Sequence, residues 1–197
     1  MLYDLPKTVD LDGIEYRIRY DFRVILDIIS MLNDLDLETA DKAEAAIRMF
    51  YVDADGALAT PKAALEKLFW FIDEGDEVQN KQKKPRLIDW EKDFKLIIAP
   101  VNRVLGYESR EIEYDVEKST GGLHWWTFLS AYMEIGGDCM FSQVVSIRDK
   151  QSRGKRLEKW EREWASRNAD LVQLKSRYSK AEDDLIKQYI SGGVEHG

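Results

Sequence analysis

Cysteine is nearly missing from this chain. Cys139 stands alone among 197 residues, which excludes an internal disulfide and a cysteine metal cluster. Two histidines and scattered acids leave little for a transition-metal site. Long apolar runs are missing too. The longest cover about five residues, as in Ile97–Val101, against the ~20 that a membrane-spanning helix needs. The start, Met1-Leu-Tyr-Asp-Leu-Pro6, has neither a basic stretch nor an apolar core, so no signal peptide is expected. A glycine-rich phosphate loop, G-x-S-x-G, H-E-x-x-H and C-x-x-C are all missing. The many carboxylates are not paired in an apolar setting, as acid–base catalysis requires. A non-enzymatic protein without cofactor or metal is therefore expected.

Charge is abundant but unevenly placed. Residues 1–150 carry 19 basic and 29 acidic side chains, a net of −10, while residues 151–197 carry 10 and 8, a net of +2. An acidic body repels phosphate backbones, so nucleic acid is not expected as a main ligand. The shift near 150 divides the chain into a domain over 1–150 and a charged amphipathic arm with a frayed tail over 151–197. With 44% hydrophobic residues in 22.9 kDa, a compact fold burying roughly 70% of its extended surface is within reach.

The periodicities predict a mainly α fold, a helical bundle with a short N-terminal β-hairpin and a charged C-terminal helical arm. Val9 and Leu11, then Ile14, Tyr16 and Ile18, alternate with polar residues around Asp12-Gly13, a preferred type I′ turn. A two-residue loop pairs Leu11 with Ile14 and Val9 with Tyr16 on one face, with Asp10 opposite Glu15. Asp21 can cap a helix from Phe22 to about Asn33, apolar over most of its circumference and so central. Thr39 or Asp41 starts a second, with Ala43, Ala46, Ile47 and Phe50 inward. Thr60-Pro61 opens a third, with Leu65, Leu68, Phe69 and Ile72 inward and Gly75 closing it. Residues 76–86, with Lys81, Lys83 and Lys84, read as a loop. Asp89 caps a helix whose apolar set runs from Trp90 to Leu105, with a kink or break expected at Pro100. Ile112, Tyr114 and Val116 alternate like a strand without an evident partner. After Gly121-Gly122, Trp125, Trp126, Leu129, Tyr132 and Met133 share a helical face. Asp138 can cap the next helix, with Phe141, Val144 and Val145 inward. Beyond Gly154, Leu157, Trp160, Trp164, Leu171, Leu174, Tyr178 and Leu185 form a heptad-like stripe, imperfect at Arg167, that could break near Asn168.

Some residues invite chemistry. Asp53-Ala-Asp-Gly56 resembles part of a calcium loop, but Ala64 occupies the twelfth position where a bidentate glutamate is needed, so a surface turn is expected. His124 and Cys139 could pair as base and nucleophile, yet nothing in the sequence brings them together, and His124 reads as a helix cap. Adjacent Trp125 and Trp126 diverge by about 100° on a helix. Either one is core and the other shields a junction, or the pair anchors a partner. Trp160 and Trp164 lie four apart on a charged helix and need cover from the body or another subunit.

Three groups of residues, in this order, resemble the bacteriophage gene-product-fifteen family. They are Leu5-Pro-Lys-Thr-Val9 with Gly13-Ile-Glu-Tyr-Arg-Ile18 and Asp21-Phe-Arg23; Trp70-Phe71 with Gly75; and Leu123-His-Trp-Trp-Thr-Phe128. The helix from Asp89 through Asp93 and Phe94 to Leu105 is similar as well, and the resemblance covers about residues 5–148. It implies a tail-morphogenesis product, encoded between the major tail protein and the tape measure protein, where tail assembly chaperones lie. The implied role is to coat the tape measure protein in the host cytoplasm, help recruit the major tail protein, and leave the finished tail. The competing readings are a structural virion component and an enzyme using His124. On this reading Trp125, Trp126, Phe128, Trp160, Trp164, Leu171 and Leu174 are the candidate partner contacts, with possible self-association through the C-terminal helix.

Overall fold

A computed structural model describes residues 4–75 and 85–174. The expected lysine loop largely, and Tyr178, Leu185 and the C-terminal tail entirely, lie outside the described residues. Strands β1 (Thr8–Leu11) and β2 (Ile14–Arg17) precede helices α1 (Phe22–Leu32), α2 (Thr39–Phe50), α3 (Ala54–Leu58), α4 (Pro61–Ile72) and α5 (Trp90–Leu105). A 3-10 turn at Ser109–Glu111 and a second small hairpin, β3 (Tyr114–Asp115) with β4 (Thr120–Gly121), follow. Helices α6 (Trp125–Met133), α7 (Met140–Ser152), α8 (Lys159–Arg167) and α9 (Ala169–Val172) complete a mainly α fold.

The first hairpin has the expected register: Val9 faces Tyr16, Asp10 faces Glu15 and Leu11 faces Ile14. Asp12 and Gly13 both have positive φ, as a type I′ turn requires. Val9 and Leu11 are buried, but Ile14 is 59% exposed. Of the two strands, β1 is the one that helix α4 covers, so the tip of β2 overhangs. The strand line continues past β2 as an isolated bridge between Ile18 and Tyr51. Arg19 Nη1 donates to the Arg48, Met49 and Tyr51 carbonyls, satisfying acceptors that the end of α2 leaves open.

Helix α1 is central, packing on α2, α5 and α6, with Phe22, Ile25 and Ile28 fully buried. Asp53 caps the short helix α3 through the Gly56 amide, so the calcium-like fragment is a helix start. On α4 the inward face is Ala64, Leu68 and Phe71, while Phe69 is 42% exposed. Leu65 and Ile72 pack partly buried against the core as expected; Phe69 alone of the expected set turns outward, because the unbroken apolar run Leu68–Ile72 carries no polar residue to mark the outer side. Helix α5 runs unbroken through Pro100, which is buried beside Ile97, Ile98 and Val101; of the expected kink or break, the break does not occur. Packing on both sides of the proline holds the turn that lacks one hydrogen bond. Cys139, not Asp138, caps α7; Asp138 faces Arg103 at 3.5 Å.

The unpaired strand finds its partner in β4, only two residues long. Gly121 and Gly122 make that return possible. Both have positive φ, and a Cβ would lie 2.5 Å from the Glu113 carbonyl oxygen at Gly121 and 2.1 Å from an Asp21 carboxylate oxygen at Gly122. The chain is thereby delivered tightly onto the start of α1.

Beyond Gly154 the chain folds back so that α9 packs on α7. The stripe does break at Asn168, whose amide and side chain both donate to the Trp164 carbonyl. Of the two tryptophans that need cover, Trp164 is half-buried. Glu161 is buried and paired with Lys150 at 2.5 Å, while Trp160 is 57% exposed.

Candidate functional site

The segments flanking α1 and α6 build one node. Asp21 caps α1 by accepting from the Arg23 amide at 3.0 Å, and pairs with the Arg23 guanidinium at 2.7 and 3.0 Å. Its second oxygen accepts the Leu123 amide at 2.9 Å. Arg23 also donates to the Ile112 and Arg110 carbonyls. Backbone bonds Phe22 N to Leu123 O and Trp125 N to Tyr20 O cross-link the same two segments.

His124 sits at the centre, buried, stacked on Tyr20 with ring centroids 5.3 Å apart and edge-on to Phe71 at 5.4 Å. Nδ1 accepts the Trp126 amide at 3.1 Å and so caps α6. That leaves the Nε2 proton for the Pro6 carbonyl at 2.9 Å. Both ring nitrogens are committed to structure. Cys139 Sγ contacts the Gly136 carbonyl and Ser142, so no hydrogen bond joins it to His124.

The Trp125 indole N–H donates to the Ile72 carbonyl at 3.0 Å, and the Trp126 indole N–H to the Phe71 carbonyl at 2.8 Å. Two adjacent tryptophans thus bond two of the last carbonyls of α4, of which that of Phe71 also accepts the Glu74 amide at 3.3 Å. Trp126→Phe keeps an aromatic ring at the site and deletes one donor. A loss of about 1 kcal/mol in unfolding free energy is expected, measured by urea denaturation.

Burial pushes the His124 pKa down from its ordinary 6.5, with Lys7 adding to the shift and the Pro6 hydrogen bond opposing it. The unfolded chain therefore binds a proton at a higher pH than the native one. Stability is full above 6.5 and falls as pH drops from there through the native value. His124→Asn retains a capping side chain without a titrating group, so urea midpoints across this range are expected to flatten. An unchanged profile would assign the pH dependence to other groups.

A second node lies between α5 and α7. Arg148 and Asp93 are 4% and 1% exposed. They form a two-pronged pair at 2.6 and 2.9 Å. Arg148 also donates to the carbonyls of Leu87 at 2.8 Å, Leu171 at 2.7 Å and Val172 at 2.9 Å. All five guanidinium protons are used. Asp93 additionally accepts the Asp89 amide at 2.9 Å. Lys92 Nζ reaches the Gln173 carbonyl, so two cations tie the α9 region to the body.

The candidate partner contacts separate into two groups. Trp125 and Phe128 are buried with their rings stacked 5.7 Å apart, and Trp126 is half-buried against Trp70 and Phe71. Trp125 and Phe128 are core, and the indole donors of both tryptophans serve α4. Trp164 on α8, Leu171 on α9 and Leu174 just beyond it are half-buried, and Trp160 is more than half exposed. Among the described residues, no group of three or more histidine, cysteine, aspartate and glutamate side chains is placed to hold a metal ion. No described helix is long and apolar enough to cross a membrane.

Periodicity missed the Arg148–Asp93 pair, although a signal existed. Phe141, Val144, Val145 and Arg148 keep the i, i+3, i+4, i+7 spacing, and Asp93 falls among Trp90, Phe94 and Ile97. Opposite charges on two apolar faces point to a buried pair.

A family model described as Bacteriophage Gp15 protein matches residues 2–179. No curated protein and no solved structure matches the chain significantly.

Proposed function

The chain belongs to the bacteriophage Gp15 protein family, and from that membership we propose that it is a non-enzymatic tail assembly chaperone. Its client is the tape measure protein, held in soluble form in the host cytoplasm, with the major tail protein as a further partner. The observation that carries this reading is the family match across residues 2–179. The structure adds support from chemistry. His124 spends both ring nitrogens on Pro6 and Trp126. Asp21 and Asp93, the buried carboxylates nearest a catalytic appearance, are each paired with an arginine. A helical chain with aromatic and leucine side chains along its last described helices also suits a helical client.

Co-expression with the tape measure protein of the same genome tests the reading. The tape measure protein is expected in the soluble fraction only when this chain is present, and the two are expected to co-purify. If the tape measure protein stays insoluble and this chain elutes alone, the chaperone reading fails. Mass spectrometry of purified virions gives a second check, because a chaperone is expected to be missing from the particle. Recovery there at the level of tail proteins would make it a virion component.

A further inference from the structure

Two exposed segments of this chain complement each other and do not pair within it. The first surrounds Trp160. Lys155, Arg156 and Lys159 are exposed, and none makes an ion pair among the described residues. The nearby Glu161 is turned inward onto Lys150, so the exposed charges over 155–167 are Lys155, Arg156, Lys159, Arg162 and Arg167 against Glu158 and Glu163, a basic excess on a chain of net charge −8. Trp160 is 57% exposed on that stretch, with no ring contact among the described residues. The second segment joins α1 to α2 and reads Asp34-Leu35-Asp36-Leu37-Glu38. All five residues are exposed, with Leu35 at 43% and Leu37 at 40%. Its three carboxylates make no ion pair among the described residues.

We propose that the face of α8 around Trp160 docks the α1–α2 connection of a second copy of this chain. Trp160 then packs on Leu35 and Leu37, and Lys155, Arg156 and Lys159 meet Asp34, Asp36 and Glu38. The two surfaces differ, so the contact is head-to-tail. It leaves one free face at each end, and assembly continues past the dimer unless the rotation closes a ring. Rim charges of this kind govern association rate and salt dependence, while the indole supplies the anchor. The inference goes beyond the chaperone reading and does not depend on it, because it concerns the chain alone.

Sedimentation velocity on the full chain tests it. The average mass is expected to exceed 22.9 kDa and to rise with concentration. It is expected to return toward the monomer as salt rises from about 0.05 to about 0.5 M. Trp160→Ala is expected to weaken association about thirtyfold. K155Q/R156Q/K159Q and D34N/D36N/E38Q are each expected to be monomeric. Mixed in equal amounts they are expected to form a 1:1 complex and nothing larger, since each supplies one intact face. All seven positions are exposed, and circular dichroism checks that the variants fold. The proposal is overturned by a chain that remains at 22.9 kDa at every concentration. It is overturned equally by either triple variant assembling like the wild type, or by a mixture that stays monomeric. A monomer that binds a DNA duplex through the same lysines would give that face to nucleic acid instead.

Discussion

Replacing Arg148 with alanine is expected to cost about 3–5 kcal/mol of unfolding free energy, the range for removing one member of a buried ion pair. The Asp93 carboxylate would remain 1% exposed with its counter-ion gone, and the carbonyls of Leu87, Leu171 and Val172 would lose their donors. A domain of this kind holds only about 5–15 kcal/mol in total, so the variant should sit near the edge of folding at 37 °C. Arg148→Lys is not a mild change here. An ammonium has three donors and cannot reproduce the fork that meets both Asp93 oxygens. Asp93→Asn with Arg148→Met should recover part of the loss by removing the stranded charge, but not all, because the three carbonyls stay unpaired. Urea denaturation of the four proteins gives the comparison. Limited trypsinolysis adds a local readout. In Arg148→Ala, cleavage at the exposed Lys155 and Arg156 is expected to accelerate, since the carbonyls that hold α9 down have been released. Equal stability of wild type and Arg148→Ala would mean that α9 is held by other contacts.

Local signals in the sequence carried much of this fold. Asp12-Gly13 sets the hairpin register because a two-residue type I′ loop leaves one pairing only. Asp21, Asp89 and His124 mark helix starts because a capping side chain must sit directly before the first turn. Where neighbouring positions were equally apolar, as in Leu68–Ile72, periodicity had no polar residue to orient the helix. On α8 periodicity leaves the cover of Trp160 open between the body and another subunit, because the contact that orients the helix, Lys150 with Glu161 eleven residues downstream, is not local. Pairings such as Arg148 with Asp93, 55 residues apart, leave no local trace beyond a charge on an apolar face.

The residues that carry the family resemblance have a common fate. Pro6, Asp21-Phe22-Arg23, Trp70-Phe71 and Leu123–Phe128 are far apart in sequence, yet they meet around His124. They specify how the hairpin, α1, α4 and α6 come together. A motif recognisable by sequence therefore identified the fold, and its tryptophans looked like a binding surface because hydrogen-bonded core indoles and interface indoles are the same residue type. Only burial separates the two.

That separation makes the second large prediction, a contrast between two tryptophans. Trp125 is 1% exposed, stacked on Phe128, edge-on to Trp90 at 5.8 Å and bonded to the Ile72 carbonyl. Trp125→Ala removes the largest fully buried side chain of the core, and about 3–5 kcal/mol of stability is expected to go with it. Trp125→Phe keeps most of the ring but strands the Ile72 carbonyl, for a loss of about 1–3 kcal/mol. Trp160→Ala, by contrast, removes a side chain that is more than half exposed, and its stability should stay within about 0.5 kcal/mol of wild type. Urea midpoints for the three variants decide the matter. If Trp160→Ala unfolds as early as Trp125→Ala, α8 is packed against the body through Trp160 and its outer face is not free for another chain. If Trp125→Ala is tolerated, the joint between α4 and α6 is held elsewhere, and the hydrogen bonds to the end of α4 are incidental to the fold. The expected split places Trp125 in folding and leaves Trp160 free to act in association.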